Sequence, residues 1–230
     1  MRLIFKTILP ALVLAIALIP GAMSAERAVR ILAFGDSLTQ GYGLPPGMDF
    51  AHVLEIALKG KGLNVTVINA GVSGDTSAGG LARLDWSLGD AANAPDAAIV
   101  ELGANDGLRG LSPGEMEKNL DGILAKLKAR RIPVLLAGMK GPRNFGASYA
   151  AEFDAVFPRL AKKYGVLYYP FFLEGVALDR ALIQPDGLHP NAKGVDVIVK
   201  NIAPVAVQLV QQAQKAPAAT GTPAQPQSAR

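Results

Sequence analysis

The sequence predicts an α/β protein in which a parallel five-stranded sheet is covered by helices on both faces. Three observations predict it. Five short apolar runs recur along the chain without internal polar alternation, as in strands buried on both faces. Between them lie segments whose apolar residues recur at three- and four-residue spacing, the pattern of helices packed along one side. Alternating strands and helices then call for right-handed crossovers, which make the strands parallel and place the helices over the sheet.

Arg2 and Lys6 precede an apolar run over residues 8–19 that only Pro10 interrupts, and Pro20-Gly21 leads into small residues up to Ala25. This is the layout of a secretory signal peptide, residues 1–25, cleaved after Ala25. The run is short for a bilayer span. An uncleaved anchor is the weaker alternative, and no other segment reads as a membrane span. The first strand is read over 29–34. After Asp49, Phe50, Val53, Leu54, Ala57 and Leu58 fall on one helical face; His52 lies opposite with Glu55 and Lys59, as a solvated residue would. The second and third strands are read over 65–68 and 97–102. Ser112-Pro113-Gly114-Glu115 has the form of a capping box with proline at the first helical position, and Met116, Leu120, Ile123, Leu124 and Leu127 line the helix that follows. The fourth strand is 133–137. Phe153, Val156, Phe157 and Leu160 mark the next helix, ahead of the fifth strand at 166–169. A last helix starts near Asn191, and Pro204 is expected to kink or split it. Residues 215–230, dominated by Ala, Pro, Gln, Gly, Thr and Ser, read as a disordered tail, leaving 26–214 as one domain.

Half of the 230 residues are apolar and 18% are charged, enough apolar material for a sizeable core and too little charge for a disordered chain. The net charge of +4 falls to +2 without Arg2 and Lys6. Lysine and arginine form no block interleaved with aromatics, so no nucleic-acid partner is expected. With no cysteine, disulfides, a thiol nucleophile, thiolate metal sites and a lipid-modified cysteine are excluded. Two histidines, His52 and His189, would leave carboxylates to supply most ligands of a zinc site, and neither a metal nor an organic cofactor is expected. No heptad or extra apolar face asks for a second copy, so a monomer is the default.

The chemistry-bearing residues follow the strands. In such sheets ligands bind at the carboxyl ends of the strands. Ser37 follows the first strand within Gly35-Asp36-Ser37-Leu38-Thr39; it could be a nucleophile or simply a helix cap. Gly74 follows the second, where its amide could face a ligand. Asn105 follows the third within Gly103-Ala104-Asn105-Asp106; its amide could hydrogen-bond a developing oxyanion or belong to an Asn-Asp turn. After the fifth comes Asp186-Gly187-Leu188-His189-Pro190. Here the carboxylate could fold back on one ring nitrogen and leave the other free to take a proton, or the stretch could be a surface turn. Four such loops on one sheet edge together supply what acyl transfer needs: nucleophile, base, orienting acid and oxyanion donors. The order Ser, Asp, His also fits α/β-hydrolases, but their Gly-x-Ser-x-Gly elbow is absent.

These four blocks, in this order and spacing over about 29–212, resemble those of the SGNH (GDSL) hydrolases. Ser73-Gly74-Asp75-Thr76-Ser77 and residues 101–110 are most similar to the bacterial thioesterase I / lysophospholipase / arylesterase branch; Ala104 departs from the glycine frequent there. The resemblance implies a flavodoxin-like three-layer α/β/α fold with strand order 2-1-3-4-5. It implies Ser37 as nucleophile, His189 as base and Asp186 as its orienter, with an oxyanion hole of the Ser37 and Gly74 amides and the Asn105 side chain. It implies a small acyl-ester or thioester substrate. The acyl pocket is expected from the loops at 108–111 and 141–149, with Leu108 as a substrate-binding candidate; Arg109 and Arg143 read as solvated loop charges. With the signal peptide, an exported, periplasmic or secreted esterase or thioesterase follows. The alternatives are an O-deacetylase of polysaccharide or peptidoglycan, disfavoured because Trp86 is the one tryptophan for sugar stacking, and a non-catalytic binding protein.

Overall fold

Five parallel strands form one sheet in the expected order, β2-β1-β3-β4-β5: β1 (Val29–Gly35), β2 (Val65–Gly71), β3 (Ala97–Glu101), β4 (Val134–Ala137) and β5 (Leu167–Tyr169). The structure, a computed structural model, describes residues 27–90 and 93–216. The signal-peptide reading of 1–25, and all of the tail beyond residue 216, lie outside the described residues. Lys215, read as the start of the tail, is the last residue of a helix.

Burial follows each strand's place in the sheet. β1, β3 and β4 have a neighbour on both sides, and the apolar residues of all three are buried. β2 and β5 are the edges. Thr66 of β2 is exposed and all of β5 is half-buried, so near-complete burial holds for the three inner strands only, with Arg30 of β1 half-buried. Helix α2 (Phe50–Lys59) packs on α7 (Ala192–Lys215), while α3 (Ser77–Leu88), α5 (Pro113–Ala129) and α6 (Ala147–Tyr164) pack side by side. These are the two helical layers. α2 starts where the Asp49 carboxylate accepts from the His52 amide at 3.1 Å. It buries Phe50, Ala51, Leu54 and Leu58, and Phe50 meets Phe172 edge to face with centroids 5.0 Å apart.

Two sequence expectations are corrected. Ser112 and Pro113 do open α5, but the Ser112 side chain makes no capping bond. Glu115 pairs instead with Lys118, one turn on, at 2.6 Å, so the reciprocal box does not form. Pro204 does not split the last helix, which runs unbroken from Ala192 to Lys215. Ile202 and Ala203 before the proline and Ala206, Leu209 and Val210 after it are all buried, and that burial on both sides offsets the one lost backbone hydrogen bond. By length and composition α7 could also cross a membrane, which the sequence reading overlooked, but 50% of its most apolar window is buried in the domain.

The register places the site. Gly35 pairs with Gly71 and Glu101, Glu101 with Ala137, and Ala137 with Tyr169. All five strands therefore end in one row, and the loops carrying Ser37, Gly74, Asn105 and His189 leave from that edge.

Candidate active site

β1 hands the chain to a one-turn helix, α1 (Ser37–Gln40). Its cap is Asp36, whose carboxylate accepts from the Leu38 amide at 3.0 Å. Ser37 is thus the first helical residue, not the cap. Gly35 is required by close approach: a Cβ there would collide with Thr39 Oγ1 and lie 2.6 Å from Glu101 Oε2.

His189 arrives on the long connection from β5 to α7. Its backbone is held by an antiparallel bridge between Ile183 and Pro190, with Gln184 N donating to His189 O at 2.8 Å. The Gln184 side chain donates to the Tyr42 carbonyl at 2.7 Å and the Pro190 carbonyl at 2.9 Å, so it fastens the histidine loop to the segment following Ser37. Nε2 of His189 lies 2.9 Å from Ser37 Oγ, and Nδ1 lies 2.6 Å from Asp186 Oδ2. The other carboxylate oxygen accepts from the Leu188 and His189 amides at 2.9 and 3.0 Å. These amides hold the Asp186 carboxyl down at about 2, so it is ionised at any ordinary pH. An ionised carboxylate on one ring nitrogen and a hydroxyl on the other is an arrangement in which the imidazole can accept the hydroxyl proton. The Tyr42 ring packs 4.6 Å from the imidazole, centroid to centroid.

Asn105 sits in a second short helix, α4 (Ala104–Leu108). Its Nδ2 donates to Asp36 Oδ2 at 3.1 Å and to the Asp75 carbonyl at 2.9 Å. Gly74 has φ +83°, a left-handed conformation costly for other residues, and its carbonyl accepts from Arg109 at 2.8 Å. Ser37, Gly74, Asn105 and His189 all line one cavity of about 360 Å³.

The structure thus brings together every sequence-predicted site residue, Leu108 included, since it lines the same cavity. His52 is exposed on α2, as expected. The pocket differs in part from the loops predicted to shape it. Met139, Lys140, Phe171 and Leu173 line it, although they follow β4 and β5 in sequence like ordinary strand-end residues. Arg109 is exposed, as expected, and also donates to the Gly74 carbonyl. Asp106 was passed over as half of a turn; it is buried, and its carboxylate takes Ser77 N at 2.8 Å and Ser77 Oγ at 2.6 Å, fixing the start of α3. Among the described residues no three His, Asp or Glu side chains converge as a metal ion would need.

Beneath Ser37 lie two buried carboxyls. Glu101 Oε2 accepts from Thr39 Oγ1 at 2.8 Å and the Asp36 amide at 3.4 Å, while Oε1 has no partner. Burial, with Asp36 close by, pushes the Glu101 carboxyl well up; burial also lifts Asp36, to about 6. A folded state that holds a proton the unfolded chain has released loses stability as pH rises above the ordinary glutamate range. The neutral variant Glu101→Gln should therefore gain on the parent with rising pH. The gain is about 1.4 kcal/mol per pH unit between the two pKa values, or roughly 3–6 °C in Tm for a chain of this size. Parallel melts at pH 5 and pH 8 test this; a Tm difference equal at both would reject a protonated Glu101.

The GDSL-like lipase/acylhydrolase family matches residues 33–197. The chain belongs to that family. Esterase TesA of Pseudomonas aeruginosa is 37% identical over 177 residues, 77% of this chain and 87% of that protein. The thioesterase 1/protease 1/lysophospholipase L1 of Escherichia coli K12 is 41% identical over 167 residues, 73% and 78% of the two chains. Among solved structures, AlinE4, an SGNH-hydrolase family esterase, is 50% identical, with a TM-score of 0.69 over 80% of this chain and 98% of its own.

Proposed function

We propose that this member of the family is an exported serine esterase and thioesterase acting through Ser37, His189 and Asp186. The observation that carries the proposal is the unbroken line Ser37 Oγ, His189, Asp186, at 2.9 and 2.6 Å, opening on an apolar cavity. As Ser37 Oγ attacks the acyl carbon, its proton passes to His189 Nε2. The carbonyl oxygen becomes an oxyanion facing the Ser37 and Gly74 amides and the Asn105 side chain. When the tetrahedral species collapses, the leaving alcohol or thiol takes the proton from His189. Water then attacks the acyl-enzyme as His189 takes its proton, and the acid leaves as Ser37 is reprotonated. Asp186 keeps its charge throughout, holding the tautomer and stabilising the imidazolium. No metal or organic cofactor enters this chemistry.

The relatives named esterase and thioesterase support the substrate class, and the cavity narrows it. About 360 Å³ is near the lower end of small-ligand pockets. Apolar residues such as Leu38, Leu108 and Phe171 dominate the lining, and Lys140 is its one fixed cation. That suits one acyl chain or aryl group beside a polar leaving group. The signal-peptide pattern at residues 1–25 supports export to the periplasm or beyond, and a monomer suffices because one chain supplies every group used.

The test is the mature chain against p-nitrophenyl esters from acetate to palmitate, with Ser37→Ala alongside. A rate rising from acetate to a medium chain and falling for the longest is expected, with Ser37→Ala inert. Turnover confined to acetate, with acetyl release from an acetylated glycan, would replace this reading with a deacetylase.

A further inference from the structure

The loop between β2 and α3 lacks an apolar anchor. Val72, Ser73 and Gly74 are all exposed, yet this loop has to hold the Gly74 amide at a fixed distance from the Ser37 amide on a different strand. The Asn105 amide and the Ser73–Gln40 hydrogen bond join the two, and Arg83 ties them a third time from behind. Arg83, on α3, donates from Nε to Asp75 Oδ2 at 2.5 Å and from Nη2 to the Gly35 carbonyl at 2.8 Å. Gly35 lies two residues before Ser37, and Asp75 directly follows Gly74. The Asp75 carbonyl is also what Asn105 Nδ2 donates to, at 2.9 Å. Arg83 therefore stands behind all three groups that face the oxyanion.

Its surroundings fit that task. The guanidinium lies over the Phe34 ring, 4.2 Å from the centroid, and Nη1 donates to Ser87 Oγ at 3.1 Å, so the plane of the fork is fixed. The Arg83 and Asp75 side chains are only 18% and 16% exposed, which limits solvent screening of the pair. A lysine could reach one of these acceptors, but it has no planar fork to reach both.

We propose that Arg83 is a positioning residue for acyl transfer, locking the loop of Gly74 and Asp75 to the turn of Ser37 so that the oxyanion donors stand preset. The proposal rests on the roles given above to Ser37, Gly74 and Asn105. Arg83 does not touch substrate; it acts through Asp75 and Gly35.

The experiment uses the full chain and p-nitrophenyl butyrate, comparing Arg83→Gln, Arg83→Lys and Asp75→Asn with the parent. Ser37→Ala is run in parallel, and Arg159→Ala, which loses only a surface bridge to Glu117, serves as control. Arg83→Gln is expected to lower kcat about 10- to 100-fold, the loss typical of a small misplacement of catalytic groups. KM should change less than about threefold, as for an interaction made in the transition state. Affinity for a phenylboronic acid, whose tetrahedral adduct puts an oxygen in the hole, should fall in parallel with kcat/KM. The acid limb of the pH profile should not move, and Arg83→Lys should recover part of the rate. A kcat within twofold of the parent, or a fallen kcat with undiminished boronate affinity, overturns the proposal. If Arg83→Gln does not fold, Arg83→Lys and Asp75→Asn decide by the same criteria. Full turnover in Ser37→Ala would instead overturn the nucleophile and this proposal with it, whereas an inert Ser37→Ala beside an unaffected Arg83→Gln removes Arg83 alone.

Discussion

Ser37→Ala should lower kcat for a p-nitrophenyl ester by about 10⁶-fold, and His189→Ala by nearly as much. The double variant should be little worse than either single one. The hydroxyl is a poor nucleophile until the imidazole 2.9 Å away takes its proton, and the imidazole has no proton to take once the hydroxyl is gone. The two groups therefore form one functional unit whose losses do not add. Asp186→Asn should cost about 10⁴-fold, less than either. An amide in place of the carboxylate can still meet the Leu188 and His189 amides through its oxygen, but its NH₂ then faces Nδ1 and favours the wrong tautomer. The residual rate in each variant should persist above that in water, supplied by the oxyanion donors and the pocket. Steady-state kinetics with active-site titration checks the series. A Ser37→Ala enzyme retaining a hundredth of the parent kcat, once contaminating parent is excluded by mass, would sink the assignment.

How much of this was legible in the sequence depended on the range of the interaction. Asp186 and His189 are three residues apart, so their pairing could be read from one loop; the structure closes it at 2.6 Å. The inner strands were legible because burial on both faces leaves a mostly apolar run, interrupted by Arg30 in β1 and ended by Glu101 in β3. The edges β2 and β5 were not distinguishable from them, since an edge is defined by a missing neighbour and not by composition. The supports were the least legible part. Glu101 pairs with Thr39 across 62 residues and Gln184 with Tyr42 across 142. Each of these residues alone looks like an ordinary polar residue near a turn. Arg83 reads as the solvent side of an amphipathic helix, and only the parallel register of β1 and β2 brings Gly35 within its reach. The failed expectations have the same origin. Pro204 was judged by its local cost, whereas the apolar residues packed on either side of it decide the outcome. Met139, Phe171 and Leu173 line the pocket without having been assigned to it, because strand-end apolar residues face either the core or a cavity, and sequence does not separate the two.

Asn105→Ala should lower kcat about 10²- to 10³-fold with KM nearly unchanged, the loss expected for one oxyanion donor. The geometry makes this more than a routine deletion. In the free chain both N–H bonds of the Asn105 amide already have acceptors, Asp36 Oδ2 at 3.1 Å and the Asp75 carbonyl at 2.9 Å. An oxyanion has to share or displace one of them, and the Asp36 bond is the longer. Asn105 is also a tie between three loops, so its removal has two separable consequences: loss of a donor, read in kcat, and loss of a tether, read in the thermal midpoint. Asn105→Asp separates them further. A carboxylate there would stand against Asp36 and against the developing oxyanion, so its kcat should fall below that of Asn105→Ala by at least another factor of about ten, the tenfold that 1.4 kcal/mol of added repulsion gives. The comparison is made at pH 8, above the value of about 6 to which burial lifts Asp36. If Asn105→Ala keeps kcat within threefold while its midpoint drops, Asn105 is a tether alone, and the oxyanion is left to the Ser37 and Gly74 amides.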